Sequence, residues 1–266
     1  MRVISGKHGG RRLEAPPGYS TRPTSDRVRE AMFSMVESRL HGQAGPHGSV
    51  GPDGSVGPDG SGGAEGFEHL EVWDLFAGSG ALGIEALSRG AAHATFVDQA
   101  PAACSVVRAN LAKLGYTQEQ ATVVRAEALA WAHGFDASPL GDRGAPNPAR
   151  YEKPGARRAP GLVLADPPYA WTSWAALFDA LKAFAPLVLA ETGSALEPPE
   201  GWEVLKVKRY GTTLVTLTRP TSESRVTALA AQAGAGEPAS KDMRRAGDVP
   251  SDAPDVPRDG AGSAQI

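Results

Sequence analysis

The chain has 266 residues and a formal net charge of −3, with 27 Lys and Arg residues against 30 Asp and Glu residues. This near-balance excludes a uniformly basic nucleic-acid coat, and the single cysteine excludes both an internal disulfide framework and a cysteine-based zinc cluster. No apolar run approaches the roughly 18 residues of a membrane span. The first residues also lack the apolar core of a signal peptide. We therefore expect a soluble, cytoplasmic protein without a membrane or metal partner.

The first forty residues are basic, with eight Lys and Arg residues against four Asp and Glu residues, so the remaining residues sum to −7. This asymmetry predicts an anionic partner for the N-terminal arm, with a solvated basic surface as the alternative. Residues 1–13 predict a short hairpin around its three glycines. Ser25 is the predicted N-cap of a helix, because apolar residues follow it at helical spacing. These are Val28, Met32, Met35, Val36 and Leu40.

Seven basic side chains of this arm are candidate phosphate contacts. They are Arg2, Lys7, Arg11, Arg12, Arg22, Arg27 and Arg29. For Arg27 and Arg29 the competing role is an ion pair with a neighbouring carboxylate, or packing near a cofactor.

Three segments have the composition of flexible chain. Residues 42–66 contain a six-residue repeat (GPHGSV, GPDGSV, GPDGSG) with almost nothing apolar to stack. Residues 134–160 are rich in Gly and Pro, and the tail over 221–266 is rich in Ala, Gly, Pro and Asp. We predict that the first two are insertions, the second within a domain spanning 67–220, and that the tail is disordered. Residues 1–41 form the predicted N-terminal extension.

Between these segments strands alternate with helices. The predicted strands are 70–76, 94–98, 122–126, 161–166, 186–191, 202–209 and 212–218, and the predicted helices are 81–89, 101–114, 127–133 and 172–185. This alternation predicts an α/β fold with a mostly parallel sheet covered on both faces. The last two strands are joined by a tight turn, so they must form a hairpin and one strand must run against the others.

A glycine turn follows the first strand. Residues 74–83 (DLFAGSGALG) match G-x-G-x-x-G, and Asp98 ends the next strand twenty residues after Gly78. Glycines let a ligand approach the backbone, and the following helix N-terminus attracts an anion. The pattern fits a dinucleotide, S-adenosylmethionine, or glycines that only pack a helix on the sheet. Asp74 favours S-adenosylmethionine, since a carboxylate there would repel a pyrophosphate but attract the ammonium of a methionine group.

The remaining candidate cofactor residues surround this turn. They are Phe76, Ala77, Ser79, Gly80, Gly83 and Glu127. Glu127 follows the third strand, where it is placed to face an adenine amino group, although it could equally be a surface acid.

Asp166-Pro167-Pro168-Tyr169 ends the fourth strand, at the sheet edge where open α/β folds bind ligands. The two prolines hold the chain extended and remove two N–H donors, which leaves the Asp166 carboxylate and the Pro167 carbonyl as acceptors. Two acceptors can hold both hydrogens of a nucleobase amine, and Tyr169 can stack on the base. The alternative is a rigid turn with a surface tyrosine.

Together these residues resemble the S-adenosylmethionine-dependent amino-methyltransferases with a D/N-PPY motif, and among them the RsmD-type 16S rRNA guanine-N2 methyltransferases of bacteria. Three blocks carry the resemblance: MRVISGK with RPTSDRVREAMF near the start, DLFAGSGALGIEALSRGA at 74–91, and LADPPY at 164–169. It covers about 1–41, 67–133 and 161–219. Members of the family often have Glu at the position of Asp98 and Asp at that of Glu127, and both changes keep the charge.

The resemblance implies a Rossmann-like class I methyltransferase sheet of seven strands with an antiparallel last strand. It implies methylation of N2 of a guanine in 16S rRNA, within an assembled or nearly assembled small subunit, by a protein we expect to be a monomer. It assigns the cofactor site to the glycine turn with Asp74 and Asp98, and catalysis to residues 166–169.

Three other functions remain open at this stage. An N6-adenine or other amino-methyltransferase on DNA or another RNA would use the same acceptor pair. An NAD-dependent oxidoreductase would use the glycine turn, but Asp74 and the lack of a hydride-site constellation oppose it. A non-catalytic RNA-binding assembly factor would not need the acceptors at Asp166 and Pro167.

Overall fold

The computed structural model of the chain describes residues 1–16, 25–41, 66–134, 159–184 and 186–224. All of them lie within one compact unit that spans Met1–Ala235. Nearly all of the two predicted insertions and most of the predicted tail fall outside the described residues, so the domain limits stay predictions. Residues 221–224 are described, and two of them, Thr221 and Ser224, are held against the domain. The Thr221 N–H donates to the Gly201 carbonyl (2.9 Å), and Ser224 is buried.

Seven strands within the described residues form one sheet, in the order β3-β2-β1-β4-β5-β7-β6. Their bounds are β1 Glu71–Asp74, β2 His93–Asp98, β3 Ala121–Arg125, β4 Leu162–Ala165, β5 Leu187–Thr192, β6 Trp202–Tyr210 and β7 Thr213–Pro220. The first five strands pair in parallel, while β7 runs antiparallel to both of its neighbours, β5 and β6. The predicted α/β sheet with one reversed strand is confirmed. The reversal arises because only a two-residue turn joins β6 to β7, so these strands pair as a hairpin.

Five α-helices of the described chain cover the sheet. They are α1 Asp26–His41, α2 Ala81–Ser88, α3 Pro101–Leu114, α4 Ala128–His133 and α5 Trp174–Lys182. The last is shorter than predicted, because residues 171–173 belong to a turn in which the Trp171 N–H donates to the Pro168 carbonyl (2.8 Å). None of these helices is long and apolar enough to cross a membrane.

The two faces of the sheet carry separate cores. On one face, Met32 and Val36 of α1 pack with Ile84 of α2, and all three are fully buried. On the other face, Leu177 and Phe178 of α5 pack around Trp73 of β1. The predicted apolar face of α1 is confirmed, since Val28 and Met35 are buried as well. The predicted N-cap is also found, since the Ser25 hydroxyl accepts the Val28 N–H (3.3 Å). Helix α1 is thus part of the core of the sheet domain.

The N-terminal residues pair as predicted, but only through one antiparallel bridge, between Arg2 and Arg12. The glycine-rich turn between them forms a short 3-10 helix, Gly6–His8. This turn lies so close to α2 that a Cβ on Gly6 would be 1.8 Å from the Ser88 carbonyl oxygen. The hairpin is held by the hydrogen bonds from the Val3 N–H to the Arg11 carbonyl (2.9 Å) and from the Leu13 N–H to the Met1 carbonyl (3.0 Å), and its turn packs against α2.

A buried carboxylate fixes this segment to the sheet domain. Glu85 of α2 is fully buried and accepts the N–H groups of Ile4 (2.7 Å) and Ser5 (3.0 Å). It also pairs with Arg89 one turn later (2.8 Å). Glu85 thereby holds the N-terminal residues in place beside the glycine turn that follows β1.

Candidate active site

The glycine turn between β1 and α2 borders a cavity of about 510 Å³ at the carboxyl edge of the sheet. Gly78 and Gly80 have φ angles of 52° and 80°, a region that residues with a Cβ rarely adopt. Gly83 acts differently, because a Cβ there would be 2.4 Å from the ring of Phe96. Gly83 therefore lets α2 pack closely on β2, and it does not line the cavity.

Asp74, at the end of β1, lies in the wall of this cavity and is 1% exposed. Its Oδ2 accepts the Gly83 N–H (2.9 Å), while its buried Oδ1 has no hydrogen-bond partner among the described residues. Burial raises the pKa of Asp74 to about 7; the Gly83 N–H opposes this, and the nearby Asp166 and Asp98 carboxylates reinforce it. A buried carboxylate with an unpaired oxygen is suited to a cationic ligand.

Asp98, at the end of β2, also lines the cavity. Its two oxygens accept the N–H groups of Gly78 (2.9 Å) and Ala100 (2.8 Å), so the carboxylate holds the glycine turn in shape. Each oxygen has a further lone pair for a ligand hydroxyl. The sequence-predicted ribose contact of Asp98 fits this position.

Glu127 is the N-cap of α4, and its side chain accepts the Ala130 N–H (2.7 Å). It is exposed and is not among the residues that line the cavity, whereas its neighbour Ala128 is. The structure thus shows a capping role for Glu127, and its contact with an adenine stays a prediction.

The four residues after β4 form the opposite wall. Asp166, Pro167, Pro168 and Tyr169 all line the same cavity as Asp74 and the glycine turn. Because β1 and β4 are adjacent parallel strands, their carboxyl ends bring the two predicted sites together. The Pro168 carbonyl is engaged by the Trp171 N–H, which fixes the turn.

Tyr169 is 57% exposed at the mouth of the cavity. Its hydroxyl is hydrogen-bonded to that of Thr213 (3.1 Å), and a Cβ on Gly193 would be 3.3 Å from its ring. The ring is therefore held in place yet open to solvent, as a stacking surface requires. Trp171 packs edge-on against Phe76 (5.2 Å between ring centroids), behind this wall rather than in it.

The N-terminal segment contributes a third wall, which the motifs alone do not indicate. Met1, Ala15, Pro16 and Arg29 all line the cavity. The Ser79 hydroxyl of the glycine turn donates to the Met1 sulfur (3.0 Å). The segment predicted to face RNA therefore also encloses the ligand site.

The basic residues of this segment separate into two groups. Arg2, Lys7, Arg11, Arg12 and Arg27 are exposed, as a phosphate contact requires, and Arg22 lies outside the described residues. Arg29 differs from the prediction, since it is 1% exposed. It pairs with Asp26 (2.7 Å), so the competing structural role replaces a phosphate contact on the surface.

Glu191 is a further carboxylate in the cavity wall that was not among the predicted site residues. It lies near the end of β5 and is 4% exposed. The signal that identified Asp166, an acid at the carboxyl end of a parallel strand, would also have identified Glu191. Met1, Ala15 and Pro16 carry no comparable signal, since nothing near them in the sequence marks a ligand site.

The cavity fits a small cationic cofactor. Its volume of about 510 Å³ falls within the roughly 300–1,000 Å³ of small-molecule sites. Asp74 has a buried, unpaired oxygen, and Gly78 permits close approach to the backbone. Asp74, Gly78, Ser79 and Asp98 would hold such a group against the acceptors of the β4 turn.

Known proteins resemble both the sequence and the fold. The profile of a protein family described as "Conserved hypothetical protein 95" matches residues 1–139. The "Putative rRNA methyltransferase YlbH" of Bacillus subtilis (strain 168) is 35% identical over 205 residues, which are 75% of this chain and 86% of that protein. "Ribosomal RNA small subunit methyltransferase D" of Escherichia coli (strain K12) is 32% identical over 169 residues, 64% of this chain and 60% of that protein.

Among solved structures, "Putative methyltransferase yhhF from Escherichia coli" superposes with a TM-score of 0.56 at 26% identity, covering 83% of this chain and 97% of that one. The similarity in fold thus covers most of this chain.

Proposed function

This chain belongs to the RsmD-type methyltransferase family, whose profile is described as Conserved hypothetical protein 95, and we propose that it methylates N2 of a specific guanine in small-subunit (16S) rRNA. The methyl donor is S-adenosylmethionine and the products are N2-methylguanine and S-adenosylhomocysteine. The observation that carries this proposal is the single cavity shared by Asp74, the glycine turn and residues 166–169.

The acceptor chemistry supports an exocyclic amine as substrate. Asp166 offers a carboxylate, and the Pro167 carbonyl offers a second oxygen, while two successive prolines remove competing N–H donors. The lone pair of a nucleobase amine is delocalised into the ring. Holding both N–H groups favours a pyramidal nitrogen, whose lone pair then points at the electrophile.

Asp74, Gly78, Ser79 and Asp98 would hold S-adenosylmethionine in this cavity, where it would supply an electrophilic methyl group to N2. Asp166 stabilises the positive charge that develops on the nitrogen and keeps the amine oriented until one N2 proton passes to solvent water. Tyr169 stacks on the splayed-out base, which offsets part of the few kcal/mol that unstacking costs. Asp74 binds the ammonium of the cofactor through its unpaired oxygen.

The names of the relatives support rRNA as the substrate, since one is called an rRNA methyltransferase and another a small subunit rRNA methyltransferase. The exposed basic side chains of the N-terminal extension are the phosphate contacts in this proposal. They are Arg2, Lys7, Arg11, Arg12 and Arg27. The protein acts as a monomer on the assembled or assembling small subunit.

Methyl transfer with nucleoside analysis tests the proposal. Small subunits from cells lacking this chain are incubated with the purified protein and S-adenosylmethionine carrying a tritiated methyl group, and the rRNA is digested to nucleosides. We expect label in N2-methylguanosine. Label in N6-methyladenosine would show that the target base is adenine and not guanine. Unlabelled RNA would refute rRNA methylation.

In the same assay, Asp166→Ala should lower the transfer rate by about 10²–10³-fold, because one preorganised stabilising group is lost. S-adenosylmethionine affinity should change little. Asp179→Ala, which removes an exposed carboxylate of α5, is the control and should leave both quantities unchanged. Near-normal turnover in Asp166→Ala would refute the assigned role.

A further inference from the structure

We propose that Arg29 binds the carboxylate of the amino-acid tail of S-adenosylmethionine, while Asp74 binds the ammonium of the same tail. The inference rests on the proposed function, and it assigns to the N-terminal segment a direct part in cofactor recognition. Arg29 lies on α1, 45 residues before Asp74, and both side chains line the same cavity.

The first observation is a buried guanidinium with unused donors. Arg29 is 1% exposed, and its Nε and Nη1 have no hydrogen-bond partner within the described part of the chain. Arginine stays protonated in proteins, so these N–H groups cannot be relieved by loss of a proton. Buried donors of a charged group are costly unless an acceptor meets them. An anion in the cavity would satisfy them.

The second observation is that hydrogen bonds to Arg2 and Asp26 fix the position of the Arg29 guanidinium. Its Nη2 donates to the Arg2 carbonyl and to Asp26 Oδ1, both at 2.7 Å. Asp26 also accepts from Arg2 Nε (2.8 Å). Although burial acts to raise it, the hydrogen bonds from Arg2 and Arg29 lower the pKa of Asp26, so this anchor is ionised near neutral pH. Both hydrogens of Nη2 are therefore engaged, and the N–H groups of Nε and Nη1 remain for other acceptors.

The third observation is the distribution of charge around the cavity. Among the described lining residues Arg29 is the only Lys or Arg, whereas four carboxylates line the same cavity. These are Asp74, Asp98, Asp166 and Glu191. A ligand with two cationic centres and one carboxylate matches this set, because the acids attract its cations and a remaining guanidinium N–H group can donate to its carboxylate.

A phosphate of the RNA is the other anion that could meet Arg29. The burial of Arg29 favours the cofactor carboxylate over an RNA phosphate as its partner. RNA phosphates bind side chains that reach solvent, as those of Arg11 and Arg12 do. A small ligand enclosed by the cavity can reach a side chain in its wall.

Calorimetric titration with two ligands tests this inference. The ligands are S-adenosylmethionine and its decarboxylated analogue, S-adenosyl-3-methylthiopropylamine, which lacks only the carboxylate. Wild type should bind S-adenosylmethionine about 10- to 100-fold more tightly than the analogue. Arg29→Gln should lose that preference, through weaker binding of S-adenosylmethionine and an unchanged Kd for the analogue.

Arg108→Gln is the matched control, because it makes the same change at an exposed arginine of α3 that does not line the cavity. It should retain the preference for S-adenosylmethionine, and an equal loss of the preference in both variants would overturn the assignment to Arg29. If thermal unfolding shows that Arg29→Gln does not fold, Arg29→Lys decides. We expect a reduced preference in that variant, and an undiminished one overturns the inference.

The remaining outcomes are also decisive. Equal affinity of the wild type for both ligands overturns the inference and leaves the proposed function standing. Binding of neither ligand refutes the proposed function itself. Unchanged affinities in Arg29→Gln, combined with weaker rRNA binding, would assign Arg29 to a phosphate and overturn the inference.

Discussion

Asp74 shows how a single buried residue can set the response of the whole site to pH. It is 1% exposed, and burial raises its pKa to about 7. Because the folded-state pKa lies above the ordinary 3.8, the protonated form favours folding of the ligand-free protein. That contribution is complete below the ordinary pKa and is lost as the pH rises through 7. Ligand binding requires the opposite, ionised form.

S-adenosylmethionine affinity should therefore rise with pH. Between about pH 5.5 and about pH 7, Asp74 is largely protonated in the free protein and cannot pair with an ammonium, so each lower pH unit should weaken binding up to about tenfold. The ammonium itself stays charged up to about pH 7.7, the usual α-amino pKa. Calorimetric titrations across this range measure the effect.

Asp74→Asn should bind the cofactor more weakly and with a flat response over the same pH range, because the titrating group is gone. Asp179→Asn, on the exposed side of α5, should keep the wild-type profile. A wild-type Kd independent of pH would show that Asp74 is ionised throughout, contrary to this expectation.

At the scale of elements, the close packing of α2 on β2 places the glycine turn. Gly83 is the contact point, since a Cβ there would be 2.4 Å from the Phe96 ring. Its N–H also donates to Asp74 (2.9 Å), so the position of α2 and the orientation of the carboxylate depend on one residue. The third glycine of the motif therefore acts through packing.

Gly83→Ala should lower the free energy of unfolding by about 1–3 kcal/mol, because the added methyl group overpacks the contact with Phe96. Chemical denaturation measures the loss. Phe96→Leu alone should also destabilise the protein. The double variant should lose less free energy of unfolding than the sum of the two single losses, since the smaller leucine side chain makes room for the methyl group. Full additivity would contradict the packing role.

The elements of the fold were largely predictable because their signals are local. The strands of the sheet are short apolar runs, and the helix α1 follows from apolar residues at helical spacing after Ser25. The N-terminal turn was less predictable. Its 3-10 helix packs closely against Ser88, and a contact between residues 82 positions apart leaves no pattern near either of them.

At the scale of the whole molecule, a basic N-terminal segment is attached to an acidic body. The first forty residues carry twice as many Lys and Arg residues as Asp and Glu residues, although the net charge of the chain is −3. Arg11 and Arg12 are exposed on this segment, whose other side encloses the cavity through Met1. This placement would bring bound RNA next to the cofactor site.

Affinity for rRNA should then fall steeply with salt, because each neutralised phosphate releases counterions. Replacing both Arg11 and Arg12 by Gln should reduce the slope of log K against log salt by about 2. Lys206→Gln with Lys208→Gln, on the edge strand β6, is the control of equal charge change and should keep the slope. A flat wild-type response would contradict phosphate contacts by this segment.

The sequence by itself determined the order of strands and helices, the glycine turn, and the acceptor turn at residues 166–169, since each depends on residues close together in the chain. Only the tertiary structure decided which side chains share the cavity. It brought Arg29 and Met1 of the N-terminal segment to the cavity that Asp74 lines, and it made Glu127 a helix cap. The physical reason is that burial and unpaired hydrogen-bonding atoms are set by packing between distant segments, which no local spacing encodes.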